Sequence, residues 1–193
     1  MSRPREFNEQ QVLQAAMHVF WQKGYDATSI PDLLNATGLS RSSLYETFGD
    51  KTALFEAASN LYFQIHGAQR IEALRHAHSA RKGLTRFFNL QIESCLNAEG
   101  SRGCLMTNTA TSLESHDPRI EKLVRESTQA VRKELKELLV RAQKAGEIPN
   151  SKNVDALSHM LLGVSFGINV MARISPNQQS LQSMAKSAVE TIS

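Results

Sequence analysis

The sequence has little of what builds disulfide frameworks, metal centres or membrane spans. Two cysteines, Cys95 and Cys104, make neither a disulfide framework nor a metal site by themselves, and the six histidines show no metal-ligand spacing. The most apolar run, residues 160–172, is interrupted by glycine, serine and asparagine, and it falls short of the roughly 20 apolar residues of a membrane helix. The first residues contain no apolar signal region. We therefore expect no cofactor, no metal, no membrane partner and a cytoplasmic location.

Signatures of enzyme active sites are also missing. The sequence has no glycine-rich phosphate loop, no Gly-x-Ser-x-Gly turn and no carboxylate pair tied to a histidine. A nucleophilic pair of Cys104 with a histidine would need a partner that nothing in the sequence marks. The sequence therefore predicts a protein that is not an enzyme.

Positive charge is not concentrated at the N-terminus. The net charge of the chain is +3, but residues 1–50 hold more acidic than basic side chains. Bulk basicity therefore gives no support for nucleic-acid binding, and such an interpretation depends on where the few cations lie.

Helix signals dominate what is present. Strand alternation and hairpin turns are almost absent, whereas apolar residues recur every three or four positions, which is typical of α-helices. Capping residues and glycines place the helix boundaries. About nine helices are predicted: one from Asn8 to Gly24, short ones after Ser29 and Ser40, a longer one after Asp50, and five at residues 81–96, 104–113, 117–145, 154–173 and 178–192. The helix after Asp50 is predicted to carry the apolar stripe Leu54, Ala58, Leu61, Tyr62 and Ile65. The chain is therefore expected to be all-α.

The three N-terminal helices fit a helix-turn-helix. A tight turn at Thr37-Gly38-Leu39 separates the second helix from the third, and Gly38 supplies the backbone freedom that the turn needs. Leu33 and Leu44 can pack together and fix the angle between these helices. We expect a helix-turn-helix DNA-binding domain over residues 1–55, followed by a larger helical domain over residues 56–193.

Polar side chains lie where such a domain contacts DNA. Arg41, at the start of the third helix, suits guanine, while hydroxyls and Lys51 at helix N-termini suit phosphates. Residues ahead of the first helix form an arm suited to the minor groove or the backbone. The predicted DNA-binding residues are Arg3, Arg5, Thr28, Ser29, Ser40, Arg41, Ser42, Ser43, Tyr45 and Lys51. Two alternatives stay open: Ser40 only caps its helix, and Tyr45 packs its ring against the protein.

Residues 20–28 (FWQKGYDAT) and 28–51 (TSIPDLLNATGLSRSSLYETFGDK) resemble the TetR family of one-component repressors. The likeness is dense over residues 8–56, although Leu34 and Ser42 stand where the family usually has alanine and often has glycine. The resemblance implies a homodimer on a pseudo-palindromic operator of double-stranded DNA. It also implies a C-terminal domain that binds a small-molecule effector and then loosens the grip on DNA. The family's DNA contacts carry over to Thr28, Ser29, Arg41, Ser43, Tyr45 and Lys51, and less firmly to Ser40 and Ser42.

The helix at residues 154–173 is apolar nearly all round, so several sides of it need cover. Gly163 and Gly167, four residues apart, allow close approach of another backbone. The family resemblance implies a dimer formed by the last two long helices as a four-helix bundle. A central helix in a monomeric bundle is the alternative.

The effector site is expected among the central helices of the C-terminal domain, as in the family. The candidates are His66, Phe87, Cys104, Met106, Asn108 and Phe166, although core packing is the alternative for the phenylalanines. Cys104 opens a helix, where thiolates are stabilised, so we also consider oxidant or electrophile sensing by Cys104 with Cys95 as its resolving partner. The alternative is that Cys104 is a small buried apolar residue.

A helix-turn-helix protein that binds DNA constitutively is the main rival function. A pocket enclosed by the C-terminal helices of one subunit would favour the ligand-responsive regulator, and a solid core would favour the constitutive one.

Overall fold

A computed structural model describes residues 7–97, 102–112 and 117–192. These residues form only helices, which confirms the all-α prediction. The helices are α1 Glu9–Lys23, α2 Ile30–Thr37, α3 Arg41–Phe48, α4 Lys51–Tyr62, a π-helical segment Phe63–Gly67, α5 Ala68–Arg75, α6 Ala80–Leu96, α7 Leu105–Ala110, α8 Pro118–Lys144, α9 Val154–Ile174 and α10 Gln178–Glu190. The predicted arm residues Arg3 and Arg5 lie outside the described residues.

Local capping fixes the N-terminal helices. The Asn8 side chain accepts hydrogen bonds from the backbone of the first turn of α1. Ser29 and Asp32 cap each other's backbone N–H groups at the start of α2, as in a capping box. Gly38, with φ of 71°, ends α2 in the left-handed region, where glycine carries no steric penalty. These caps are the ones predicted, and they set the angle at which α3 leaves the turn.

The predicted fourth helix is divided by the π-helical segment. A π turn contains more residues than an α turn, so it rotates every following side chain about the helix axis. The apolar stripe of α4 therefore ends at Tyr62, and Ile65, which the sequence pattern placed on the same stripe, is 49% exposed. Gly67 is buried against Phe63, and a Cβ there would lie 2.6 Å from Phe63 Cδ2. The prediction for Ile65 was wrong because a uniform helical period was assumed.

Two hydrophobic clusters form the core. The first joins α1–α4 to Cys104 and Leu105 at the start of α7 and to Ile120 and Val124 of α8. The second joins α5, α6, α8, α9 and α10. The N-terminal helices therefore pack directly on α7 and α8. A movement of α7 or α8 would displace side chains that hold the helix-turn-helix in place.

The length and composition of α9 would allow it to cross a membrane, since it has 21 residues and an 18-residue window of mean hydropathy 1.4. From the sequence, no membrane helix is expected here, because glycine, serine and asparagine interrupt residues 160–172. The mean hydropathy averages over these interruptions and therefore gives a different result. One such helix is weak evidence, because core helices of soluble proteins pass the same test. In this fold α9 packs against α6, α8 and α10. This packing covers only part of α9, because Val170, Met171 and Ile174 stay exposed.

Candidate DNA-binding surface and ligand cavity

Helix α3 presents a polar N-terminal end on an apolar anchor. Leu44 is completely buried and holds the helix against the domain. The Ser40 hydroxyl accepts from the Ser43 backbone at 3.1 Å and lies 3.0 Å and 2.9 Å from the hydroxyls of Ser42 and Ser43. Arg41 is exposed beside this serine cluster. The surface can therefore offer one guanidinium and several hydroxyls to base edges.

The neighbouring helix N-termini carry the candidates for phosphate contact. Ser29 is exposed at the start of α2. Lys51 begins α4, and its Nζ lies 4.3 Å from the centroid of the Tyr25 ring. Partial burial lowers the pKa of the Lys51 ammonium, while nearby Asp26 opposes that shift. Tyr45 is 39% exposed on α3. Helices α2 and α4 both pack on α3, so the three helix N-termini belong to one packed domain.

Thr28 lies inside the fold, unlike the other predicted contacts that the structure describes. It is 1% exposed, and its hydroxyl donates to the Gly24 carbonyl at 2.6 Å. This bond closes the loop between α1 and α2 and positions Ser29. The buried side chain has no free path to a phosphate in this conformation.

A polar network that the sequence did not predict connects α4 to α8. The Arg119 guanidinium donates to the Asp50 carboxylate at 3.1 Å and to the Asp117 carboxylate at 2.8 Å, and these aspartates cap α4 and α8. Thr52 donates to Asp117 at 3.1 Å and lies 2.7 Å from the Tyr25 hydroxyl. The ring of Tyr25 also contacts the Lys51 ammonium through a cation–π interaction. The network therefore links a candidate phosphate contact to the start of α8.

Replacing Arg119 with alanine is expected to raise the pKa of Asp117 from about 2 towards its ordinary value of 3.8, because the side-chain hydrogen bond from Arg119 is the largest cause of the lowering. The backbone N–H of residue 119 also lowers this pKa and remains in the variant, so the rise should be partial. The folded pKa is below the unfolded one, so the interaction stabilises the protein above pH 3.8 and is lost as the pH falls towards 2. NMR titration of the Asp117 carboxyl carbon measures the shift. The exposed Arg125→Ala variant on α8 is the control, and an unchanged Asp117 pKa in the Arg119 variant would contradict the assignment.

A cavity of about 350 Å³ lies between α4, α5, α6, α7, α8 and α9. Four of the six predicted effector residues line it, namely Phe87, Cys104, Met106 and Phe166. Ser59 and Tyr62 of α4 also form part of the wall, so the cavity borders the helix that begins at Lys51. The C-terminal helices are thus not a solid core, which favours the ligand-responsive protein, although the cavity is partly open to solvent and not enclosed.

The other two effector candidates, His66 and Asn108, lie outside the lining. The π-helical segment turns His66 towards Trp21 and Tyr62, with ring centroids 5.0 Å and 4.8 Å away. Asn108 donates to the Arg102 carbonyl at 2.7 Å and accepts from Arg173 at 3.0 Å. Neither residue is among those that line the cavity, so their assignment as effector ligands stays a prediction.

A buried hydrogen-bond network forms one side of the cavity. The Gln91 amide nitrogen donates to the Ser165 carbonyl at 2.7 Å and to Asn169 Oδ1 at 2.8 Å, and Gln91 Oε1 accepts from the Ser165 hydroxyl at 2.9 Å. The Asn169 amide donates to Thr107 at 3.0 Å, and Cys95 Sγ lies 3.4 Å from Asn169 Oδ1. The network ties α6, α7 and α9 together behind the cavity.

Both cysteines are buried thiols. Cys104 is the N-cap residue of α7, as the sequence predicted. Burial raises the pKa of Cys95 to about 11, so Cys95 is protonated at neutral pH and a poor nucleophile in this conformation. Sensing by Cys104, with Cys95 as its partner, stays a prediction.

The segment before α7 contacts α1 directly. Trp21 Nε1 donates to the Gly103 carbonyl at 2.8 Å, and Arg102 Nη1 lies 3.1 Å from His18 Nδ1. Gly103 has φ of 73°, and a Cβ there would lie 2.5 Å from Arg173 Cδ. Only glycine fits at position 103 without displacing the Arg173 side chain, which explains why a glycine lies where this segment passes between α1 and α9.

Together, the exposed serine and arginine face and the packed helix-turn-helix define a DNA-binding transcriptional regulator with a larger helical C-terminal domain. Residues 12–58 match the family described as bacterial regulatory proteins, tetR family. Residues 80–188 match the tetracyclin repressor-like C-terminal domain. The chain therefore belongs to the TetR family of transcriptional regulators.

Individual relatives align over nearly the whole chain. The transcriptional regulator YezE of Bacillus subtilis (strain 168) is 29% identical over 94% of each protein. The transcriptional repressor ComR of Escherichia coli (strain K12) is 30% identical over 95% of this chain and 88% of its own length. A structure of a cysteine-substituted CifR, a TetR family regulator in complex with a 26-base-pair operator DNA, matches with a TM-score of 0.90 and 27% identity over all of both chains.

Proposed function

We propose that the protein is a homodimeric repressor that binds a pseudo-palindromic operator and is released when a small-molecule effector occupies the cavity. The observation that carries this proposal is the shared wall between cavity and DNA-binding domain. Tyr62 and Cys104 line the cavity, and both belong to the hydrophobic cluster of α1–α4. A ligand that displaces this wall also displaces the helices that position α3.

The DNA contacts are assigned to the exposed members of the predicted set. Arg41, with the hydroxyls of Ser40, Ser42 and Ser43, reads the major groove. Ser29, Tyr45 and Lys51 bind phosphates. Arg3 and Arg5 are kept as the arm, and Thr28 acts by positioning Ser29. The functional boundary remains near residue 55.

The homodimer is assigned to α9 and α10. Val170, Met171 and Ile174 form an exposed apolar face on α9, with Ile174 72% exposed. A Cβ at Gly163, on the same side of the helix, would meet open space, so a second helix can approach closely. Two subunits would place their recognition helices on half-sites about 34–36 Å apart.

The names of relatives agree with the proposal. ComR is named a repressor, and the CifR variant is in complex with operator DNA. A transcriptional regulator acts in the compartment that contains the DNA, so we assign the protein to the cytoplasm.

We expect Arg41→Ala and Lys51→Ala to weaken operator binding in different ways. The operator is first selected from random duplex DNA with the purified protein, and affinities are then measured by fluorescence anisotropy at several salt concentrations. Loss of Arg41 should cost about 1–3 kcal/mol and relax sequence preference at one position per half-site. Loss of Lys51 should weaken all sequences alike and flatten the salt slope.

Arg86→Ala serves as the matched control, since Arg86 is an exposed arginine on α6 away from α3. If Arg41→Ala binds the selected operator as tightly as the control does, α3 is not the reading helix as assigned.

A further inference from the structure

Arg70 of α5 lines the cavity with part of its charged group unsatisfied. Its Nε is buried and has no hydrogen-bond partner among the described residues. The guanidinium carbon lies 6.0 Å from the centroid of the Phe87 ring, so the ring face supports the cation from one side. A partly buried guanidinium without an acceptor is costly, which points to a partner that binds from the cavity.

No carboxylate of the described chain fills that role. The one acidic residue among the lining residues is Glu126, whose side chain is 61% exposed and pairs with Lys122 at 3.9 Å. None of the ion pairs in the described part of the chain includes Arg70. The cavity therefore has an unneutralised positive charge at one point of its wall.

The rest of the cavity suits an apolar body. Aromatic and aliphatic side chains line most of its wall, among them Phe63, Ile71, Leu123, Leu162 and Phe166. The volume of about 350 Å³ corresponds to roughly a dozen non-hydrogen atoms, taking about 30 Å³ for each water-sized group. Ser59 Oγ, also buried without a partner among the described residues, is a second polar group in the wall.

We propose that the cavity binds a small apolar carboxylate whose anionic head pairs with the guanidinium of Arg70. This inference rests on the proposed ligand-responsive function and names the chemical class of the effector. Arginine binds carboxylates through two parallel charge-assisted hydrogen bonds, which are stronger and more directional than bonds between neutral groups.

The test uses octanoate and octanol, which share an apolar chain and differ in the charged head. Isothermal titration calorimetry with the full-length protein measures binding without any operator. We expect octanoate to bind the wild type and Arg70→Gln to weaken it about tenfold to a hundredfold, with octanol affinity changed less than about twofold. Arg70→Lys should keep part of the octanoate affinity, and Arg125→Gln on α8 should keep all of it.

Each outcome has a distinct meaning. Equal loss of octanoate and octanol in Arg70→Gln, despite an unchanged melting temperature, would overturn the assignment of the head group to Arg70. Failure of hexanoate, octanoate and decanoate alike to bind the wild type would overturn the carboxylate class. Octanoate that binds through Arg70 but leaves the selected operator bound would support the ligand class and contradict the proposed release mechanism.

Discussion

Val170→Asp is expected to convert the proposed dimer to a monomer and to weaken operator binding by about a hundredfold to ten-thousandfold. Val170 lies on the exposed apolar face of α9, where its β-branched side chain would be covered by the second subunit. A carboxylate there would be buried without a partner in the assembled dimer. A single subunit would then bind one half-site without the gain from simultaneous binding at both. Analytical ultracentrifugation gives the mass, and anisotropy gives the affinity.

Gln129→Asp introduces the same charge on the exposed side of α8 and should leave both mass and affinity unchanged. Circular dichroism of the Val170 variant should still show a fully helical protein, because the side chain is not part of the subunit core. A Val170→Asp dimer with full operator affinity would place the interface elsewhere.

Gln91→Leu is expected to lower the free energy of unfolding by about 3 kcal/mol, because it leaves buried polar groups without partners. Gln91 is completely buried, and its amide makes three hydrogen bonds to Ser165 and Asn169. Leucine fills a similar volume but cannot donate to the Ser165 carbonyl or accept from its hydroxyl. Urea unfolding followed by circular dichroism measures the change.

Asn89→Leu on the exposed face of the same helix should change stability by less than about 0.5 kcal/mol. Ser165→Ala removes the hydroxyl that donates to Gln91 Oε1. The double variant should therefore lose less free energy of unfolding than the sum of the losses in the two single variants. Strictly additive losses would show that Gln91 and Ser165 do not act as one network.

Features determined within a few residues could be predicted from the sequence. The Ser29–Asp32 capping box and the Gly38 turn depend on contacts three or four positions apart, so residue types at fixed spacing suffice. The same is true of the serine cluster at the start of α3, which follows from its place at a helix N-terminus.

Features that join distant segments could not be predicted in this way. Arg119 meets Asp50 across 69 positions, and no local pattern marks that pair. Nothing in the sequence distinguishes Arg70 from a solvated cation on the surface of α5. Only the packing of the helices around the cavity shows that its Nε is buried. The exposure of Ile65 follows from the π-helical segment, whose extra residue leaves no clear signature in the apolar pattern.

The hydrogen bond from Trp21 to Gly103 gives the protein an internal optical reporter. Trp21 is the single tryptophan of the chain, and its indole is buried between α1, the Tyr62 ring and the segment before α7. Indole emission depends on the polarity and hydrogen bonding around Nε1, so movement of that segment would change the fluorescence without any label. The proposed ligand binding, and the movement that it would transmit to the DNA-binding helices, can thus be tested by fluorescence of the unmodified protein.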